Sequence, residues 1–118
     1  MIIDIHSHCW SYPEHFTDDF RGQARRARAG AEVDLTVRFD EYSAAATNFE
    51  VARTVVFGGK ARRSGLWVED DYVAGYVAAH PDRLIGFLSL DPTQHGWQEE
   101  MRHGHQYLGL QGIKLMPM

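Results

Sequence analysis

A single cysteine, Cys9, is all the thiol the chain holds, which excludes an internal disulfide and removes any sign of an oxidising compartment. The expected location is the cytoplasm. No stretch approaches the roughly 20 apolar residues of a spanning helix, and Met1-Ile2-Ile3-Asp4-Ile5 lacks the basic start of a secretory leader. A soluble, untargeted protein with no membrane partner is the expectation. Positive charge is not in excess either: 12 Lys and Arg stand against 16 Asp and Glu, a net charge of −4. The tight cluster Arg25, Arg26 and Arg28 is flanked by Asp18, Asp19, Glu32 and Asp34, so no broad basic face for nucleic acid is expected. Internal repeats and low-complexity tracts are absent. What is present is ordinary globular composition, with 44% apolar and 24% charged residues over 118 positions, read as a single domain, residues 1–118.

Four apolar, β-rich runs stand out: Ile2 to Ile5, Arg53 to Phe57, Leu84 to Leu90 and Gly112 to Met116. Their near-continuous apolar character suits strands covered on both faces, as in parallel sheets. Helices are predicted between them. Asp40 to Glu50 carries Tyr42, Ala45, Ala46 and Phe49 at helical spacing, with Asp40 or Ser43 near its start. Val68 to His80 carries a clearer stripe that Pro81 ends. Trp97 to Leu108 is the third, with Gly109 placed to close it. Alternation of this kind argues for a parallel α/β fold with long crossovers. An open doubly wound sheet and a barrel both satisfy it. Trp10 to Val37 is long for a connection between a strand and its helix, and long loops carry function or are disordered. It is expected to hang over the strand ends as a mobile lid, with Trp10 and Tyr12 as candidate substrate contacts.

The strongest local signal is Asp4-Ile5-His6-Ser7-His8. Alternation along a strand puts Asp4, His6 and His8 on one face. Two imidazoles at a rigid strand end can share one divalent cation, and Asp4 could orient one of them. An arbitrary His-x-His is more often a packed or exposed pair. This one ends an apolar strand, where α/β folds concentrate their sites. His103-Gly104-His105 reads instead as a solvated helix face, since residues two apart on a helix do not face each other. His15, His80 and His95 are isolated and receive no role. Lys114 alternates with apolar neighbours in the last strand, where an unpaired charge is costly. It reads either as a salt bridge to Asp4 or Asp91, or as a substrate anchor or, once carbamylated, a metal bridge. Asp91-Pro92 reads as a strand end that caps the next helix.

These segments together resemble the amidohydrolase-related branch of the amidohydrolase superfamily. Asp4 to His8 resembles its first-strand metal motif. Ala78-Ala79-His80-Pro81-Asp82-Arg83-Leu84-Ile85-Gly86-Phe87 with Leu90-Asp91-Pro92 is similar to its third-strand segment, and Leu108-Gly109-Leu110-Gln111-Gly112-Ile113-Lys114-Leu115 to its fourth. The matches fall in order and span nearly the whole chain. The resemblance implies a (β/α)8 barrel with a divalent metal ion, zinc first, bound through His6 and His8, and a small-molecule substrate, for which Trp10, Tyr12 and Lys114 are the candidate contacts read above from the loop and the last strand. The branch includes hydrolases of lactones and related C–O or C–N bonds, and nonoxidative decarboxylases of aromatic acids. Met116 stands where many relatives carry histidine. The family's further ligands and its acidic catalytic residue fall on later strands, so no catalytic residue is assigned here.

A complete barrel takes about 250 residues, so four strands with crossover helices amount to half of one. The expectation is a fragment that needs its C-terminal half or a second copy and is inactive alone. Competing readings are a TatD-like nuclease or a histidinol-phosphatase-like phosphoesterase, which open on a similar motif, and a non-catalytic half-barrel module. Gly112-Ile113-Lys114-Leu115, His80-Pro81-Asp82-Arg83 and the lack of a basic surface favour the hydrolase branch.

Overall fold

The computed structural model describes residues 1–117. Strand β1 (Ile2–His8) pairs in parallel with β2 (Val51–Phe57), which follows helices α1 (Asp18–Ala27) and α2 (Phe39–Asn48). A short antiparallel hairpin, β3 (Lys60–Ala61) and β4 (Leu66–Trp67), leads to helix α3 (Asp70–Ala78). The apolar run from Leu84 to Leu90 then splits at Phe87 into β5 (Leu84–Gly86) and β6 (Leu88–Leu90). Strand β5 pairs in parallel with β2, and β6 pairs in parallel with β7 (Ile113–Leu115), after helix α4 (Trp97–Arg102) and a wide π turn at His103–Tyr107. One interrupted strand thus serves two neighbours, and the order is β1-β2-β5/β6-β7. This is the parallel α/β architecture read from the sequence, four barrel strands with helical crossovers. Among the described residues no helix is long and apolar enough to cross a membrane.

The core lies between the sheet and its helices. Leu84, Leu88, Val68 and Val73 are at most 2% exposed, and each such side chain contributes about 1.5–3 kcal/mol as an upper bound. Helix α2 packs on β2, α3 on β2, β5 and β6, and α4 on β6. The two outermost strands lack such cover. Ile2, Ile3 and Ile5 of β1 and Ile113 and Leu115 of β7 are each at least 46% exposed.

The segment after β1, expected to hang over the strand ends as a lid, carries secondary structure of its own. It contains α1, started by Thr17, whose Oγ1 accepts from the Phe20 N–H, with Asp18 and Asp19 in the first turn and Arg25 and Arg26 in the last. It is also tied down: the Trp10 indole donates to the Leu35 carbonyl at 2.7 Å, and the Val37 N–H to the Trp10 carbonyl at 3.0 Å. The third predicted helix departs from the expectation, because Gly104 lets the π turn press against the sheet. A β-carbon there would lie 2.9 Å from Leu88 Cδ2. Neither Asp40 nor Ser43 caps α2, which starts after Arg38 without a side-chain cap. Asp91 caps its own turn, accepting from the Thr93 N–H at 3.0 Å, and also accepts from the Arg62 N–H at 2.9 Å; α4 starts after Gly96.

Candidate metal-binding site

Strand β1 is not regular. Asp4 pairs with Thr54 and Ser7 with Val56, so three steps along β1 match two along β2. This bulge shifts the alternation by one residue, and a one-residue slip moves side chains to the other face. Asp4 is therefore not on the face of the histidines, contrary to strict alternation. Its Oδ2 accepts from the Tyr42 hydroxyl of α2 at 3.4 Å, and that hydroxyl also bonds Thr54 Oγ1. Asp4 Oδ1 accepts only from the His6 backbone N–H, at 3.0 Å, and orients no imidazole ring.

His6 and His8 come together at the C-terminal end of β1. Their ring centroids are 5.5 Å apart, and both meet the Phe57 ring edge-on, at 5.1 and 4.7 Å. His8 is held on three sides. Trp10 stacks on it at 4.2 Å and 25°, Phe57 abuts it, and its Nδ1 lies 2.7 Å from the Gly58 carbonyl oxygen. A carbonyl only accepts, so Nδ1 carries the proton and Nε2 keeps its lone pair. This arrangement is common in metal-binding histidines, whose second nitrogen is fixed by a backbone carbonyl or carboxylate. Gly58 can reach the ring because it has no side chain: a β-carbon there would lie 2.4 Å from Val68 Cβ. Burial holds the His8 imidazole below its usual 6.5; the nearby Lys114 and His6 charges act the same way and the Gly58 hydrogen bond opposes them. Burial also pushes the neighbouring Cys9 thiol up to about 12, which leaves it unreactive.

Lys114 reaches this face from β7. Its Nζ lies 3.5 Å from His6 Nε2 and 4.7 Å from the Phe57 ring centre. The expected salt bridge to Asp4 or Asp91 is absent, because Asp4 is turned to α2 and Asp91 holds the Thr93 and Arg62 backbone. Tyr12 packs its ring on Phe16 at 5.5 Å and borders a depression with Pro13, Arg21 and Arg25. It makes no ring contact with the histidines. His103 points to Asp71 at 3.6 Å and His105 Nδ1 to the Leu110 carbonyl at 3.2 Å, so that pair diverges. His105 borders an apolar depression of about 560 Å³ with Leu88, Met101, Leu110 and Ile113, beside the uncovered face of β7.

Sequence reading missed Phe57 and Gly58, whose one cue was a Gly58-Gly59 pair closing an apolar run. It also missed the buried group behind them. Lys60 Nζ donates to Asp70 Oδ2 at 3.0 Å and Glu100 Oε2 at 2.8 Å, and Asp70 Oδ1 accepts from the Ser89 N–H at 2.9 Å. Burial opposes the Lys60 charge, but Glu100 and Asp70 outweigh it and hold the ammonium above its ordinary 10.5. This ties the turn after β2, and with it Gly58, to α3, α4 and β6.

Among the described residues no group of three or more His, Cys, Asp or Glu side chains converges. The donor chemistry present, two imidazoles with at least one Nε2 fixed free, fits part of a divalent-metal site and not a whole one.

Parallel strands with helical crossovers and a histidine pair at the C-terminal end of the first define a partial (β/α)8 barrel. The chain belongs to the amidohydrolase family, whose model matches residues 3–118. Solved structures agree on the fold. A 2,6-dihydroxybenzoate decarboxylase complexed with 2,6-dihydroxybenzoate matches with a TM-score of 0.63 at 18% identity, over 95% of this chain and 38% of its own. An amidohydrolase II matches at 0.61 and 11% identity, over 98% and 40%. A probable 2-pyrone-4,6-dicarboxylic acid hydrolase from Acinetobacter baumannii, with citric acid bound, matches at 0.55 and 16% identity, over 97% and 48%. The chain therefore spans less than half the length of each. No curated protein matches it.

Proposed function

We propose that the chain supplies the first metal-binding strand of a metal-dependent hydrolase, with His6 and His8 as two ligands of a divalent ion, zinc in the first instance. The observation that carries this reading is the 2.7 Å contact from His8 Nδ1 to the Gly58 carbonyl, which leaves Nε2 free on a ring 5.5 Å from that of His6. When bound, such an ion activates water or polarises a substrate oxygen. The chain's own residues orient and enclose: Gly58 sets the His8 tautomer, Phe57 and Trp10 wall the pair, and Lys114 offers a positive charge to an anionic substrate group. Trp10 and Lys114 are the substrate contacts this geometry favours, with Tyr12 further along the same segment. The substrate class is a small molecule with a lactone or related C–O or C–N bond.

Nonoxidative decarboxylation of an aromatic acid is the second reading. It is favoured by the decarboxylase among the structures of the same fold and by the aromatic and cationic groups around the histidines. Two histidines fall short of the three protein ligands of most catalytic zinc sites, so the remaining strands of a barrel, or a second copy, are the partner this reading requires. The exposed apolar edges at β1 and β7 support it. A cytoplasmic setting fits the one buried thiol.

The test is calorimetric titration of zinc and manganese into the 118-residue chain, followed by assays with a lactone and a hydroxybenzoate. Weak binding lost in the His6→Ala, His8→Ala double variant, with no turnover until further strands are supplied, is the expected result. Tight binding and turnover that survive the double variant would overturn the reading.

A further inference from the structure

Lys114 is a cation beside His6 whose surroundings do not account for it. It is half-buried, and among the described residues no carboxylate lies within 4 Å of its ammonium. Its nearest polar partner is an imidazole nitrogen, His6 Nε2 at 3.5 Å, on the strand farthest from it in the sheet order. The Phe57 ring, 4.7 Å away, offers a negative face to the same ammonium. Ser89, its register partner on β6, is fully buried and its hydroxyl has no partner among the described residues. The ammonium thus sits between His6 Nε2 and the Phe57 ring face.

We propose that Lys114 is a built-in competitor for the metal: its ammonium occupies the position facing His6 Nε2, and an ion can be held by both histidines only after that ammonium swings away. The inference rests on the metal reading given above and adds a regulatory element to it. Two consequences follow from charge alone. A divalent ion and an ammonium that share one imidazole repel strongly in a half-buried setting, so the lysine lowers the affinity of the pair for metal. A bound anion such as a substrate carboxylate would draw the ammonium off His6, so such an anion and the metal would assist each other's binding, each lowering the other's dissociation constant by the same factor. The lysine would then couple metal loading to the presence of an acidic ligand.

Zinc is titrated by calorimetry into the wild-type chain, Lys114→Met, Lys114→Gln and the His6→Ala, His8→Ala double variant, each first checked for a wild-type circular dichroism spectrum. Wild type and Lys114→Met are then titrated again in the presence of benzoate. Both lysine variants should bind zinc roughly tenfold tighter or more than wild type. Benzoate should tighten zinc binding to wild type and leave Lys114→Met unchanged. The two lysine replacements differ in polarity, so the same gain in both isolates the charge. Zinc affinity unchanged or weakened in both lysine variants, while the double variant loses binding, would overturn the competitor role and leave the metal reading standing. Wild-type affinity in the double variant would overturn both.

Discussion

Removing the Lys60 ammonium should cost far more than its single charge suggests. Lys60 is 2% exposed and Asp70 is 4% exposed. Lys60→Met fits the space with a similar stem but leaves a buried carboxylate without its cation. Breaking such a pair costs about 3–5 kcal/mol. The lower end applies here, because Asp70 Oδ1 keeps the Ser89 N–H and Glu100, whose side chain is 35% exposed, can turn to water. About 3 kcal/mol is a large part of the 5–15 kcal/mol typical of a domain. Adding Asp70→Asn removes the stranded charge and preserves an acceptor for Ser89, so the double variant should recover about half of the loss. Urea denaturation followed by circular dichroism reads this directly, as a lower midpoint at unchanged slope. A loss under about 1 kcal/mol in Lys60→Met, or no recovery on adding Asp70→Asn, would show that the pair is already solvated and refute the reasoning.

Gly58→Ala drives a β-carbon to 2.4 Å from Val68 Cβ and should destabilise by about 1–3 kcal/mol, whereas Gly75→Ala, with nothing within 4 Å in α3, should stabilise by about 0.5–1 kcal/mol; equal effects in thermal melts would contradict the packing described. Tyr42→Phe strips Thr54, 2% exposed, and Asp4 of their shared hydroxyl, for an expected loss of about 1–2 kcal/mol; an unchanged midpoint would count against the network. His8 and His15 are both held below their usual 6.5, chiefly by burial. The unfolded chain therefore takes up protons first as pH falls through about 6.5, and stability should decline from there until the folded-state values are reached. Denaturation midpoints flat between about pH 5 and 7, or a His8→Gln variant with the wild-type slope, would argue against it.

The elements whose periodicity is strong were legible. Ile2, Ile3 and Ile5 mark β1, Val73 and its neighbours mark α3 before Pro81, and Ile113 and Leu115 mark β7. Helix α1 was not, because none of its residues is buried and its apolar face is only Phe20 and two alanines, Ala24 and Ala27; its other signals are Thr17 and the charges at its ends. The β3–β4 hairpin is two residues a side, too short for any period to show. Within the site, His6 and His8 could be read from their strand. Gly58 could not, since its role depends on Val68 closing over it. The partner of Lys114 was hidden for a simpler reason: His6 lies 108 positions away. Asp4 was misplaced because the bulge belongs to the pairing of β1 with β2 and leaves no mark in five residues of sequence.

That bulge bears on any attempt to move the motif elsewhere. Grafted onto an unbroken parallel strand, Asp4 would share the face of both imidazoles and stand one pleat from His6, within reach of that ring but about 13 Å along the strand from His8. Here the extra residue turns that carboxylate to Tyr42 instead. The pentapeptide is thus not a portable cassette: its chemistry is set by the neighbouring strand, and a designer who copied only the letters would obtain a different site.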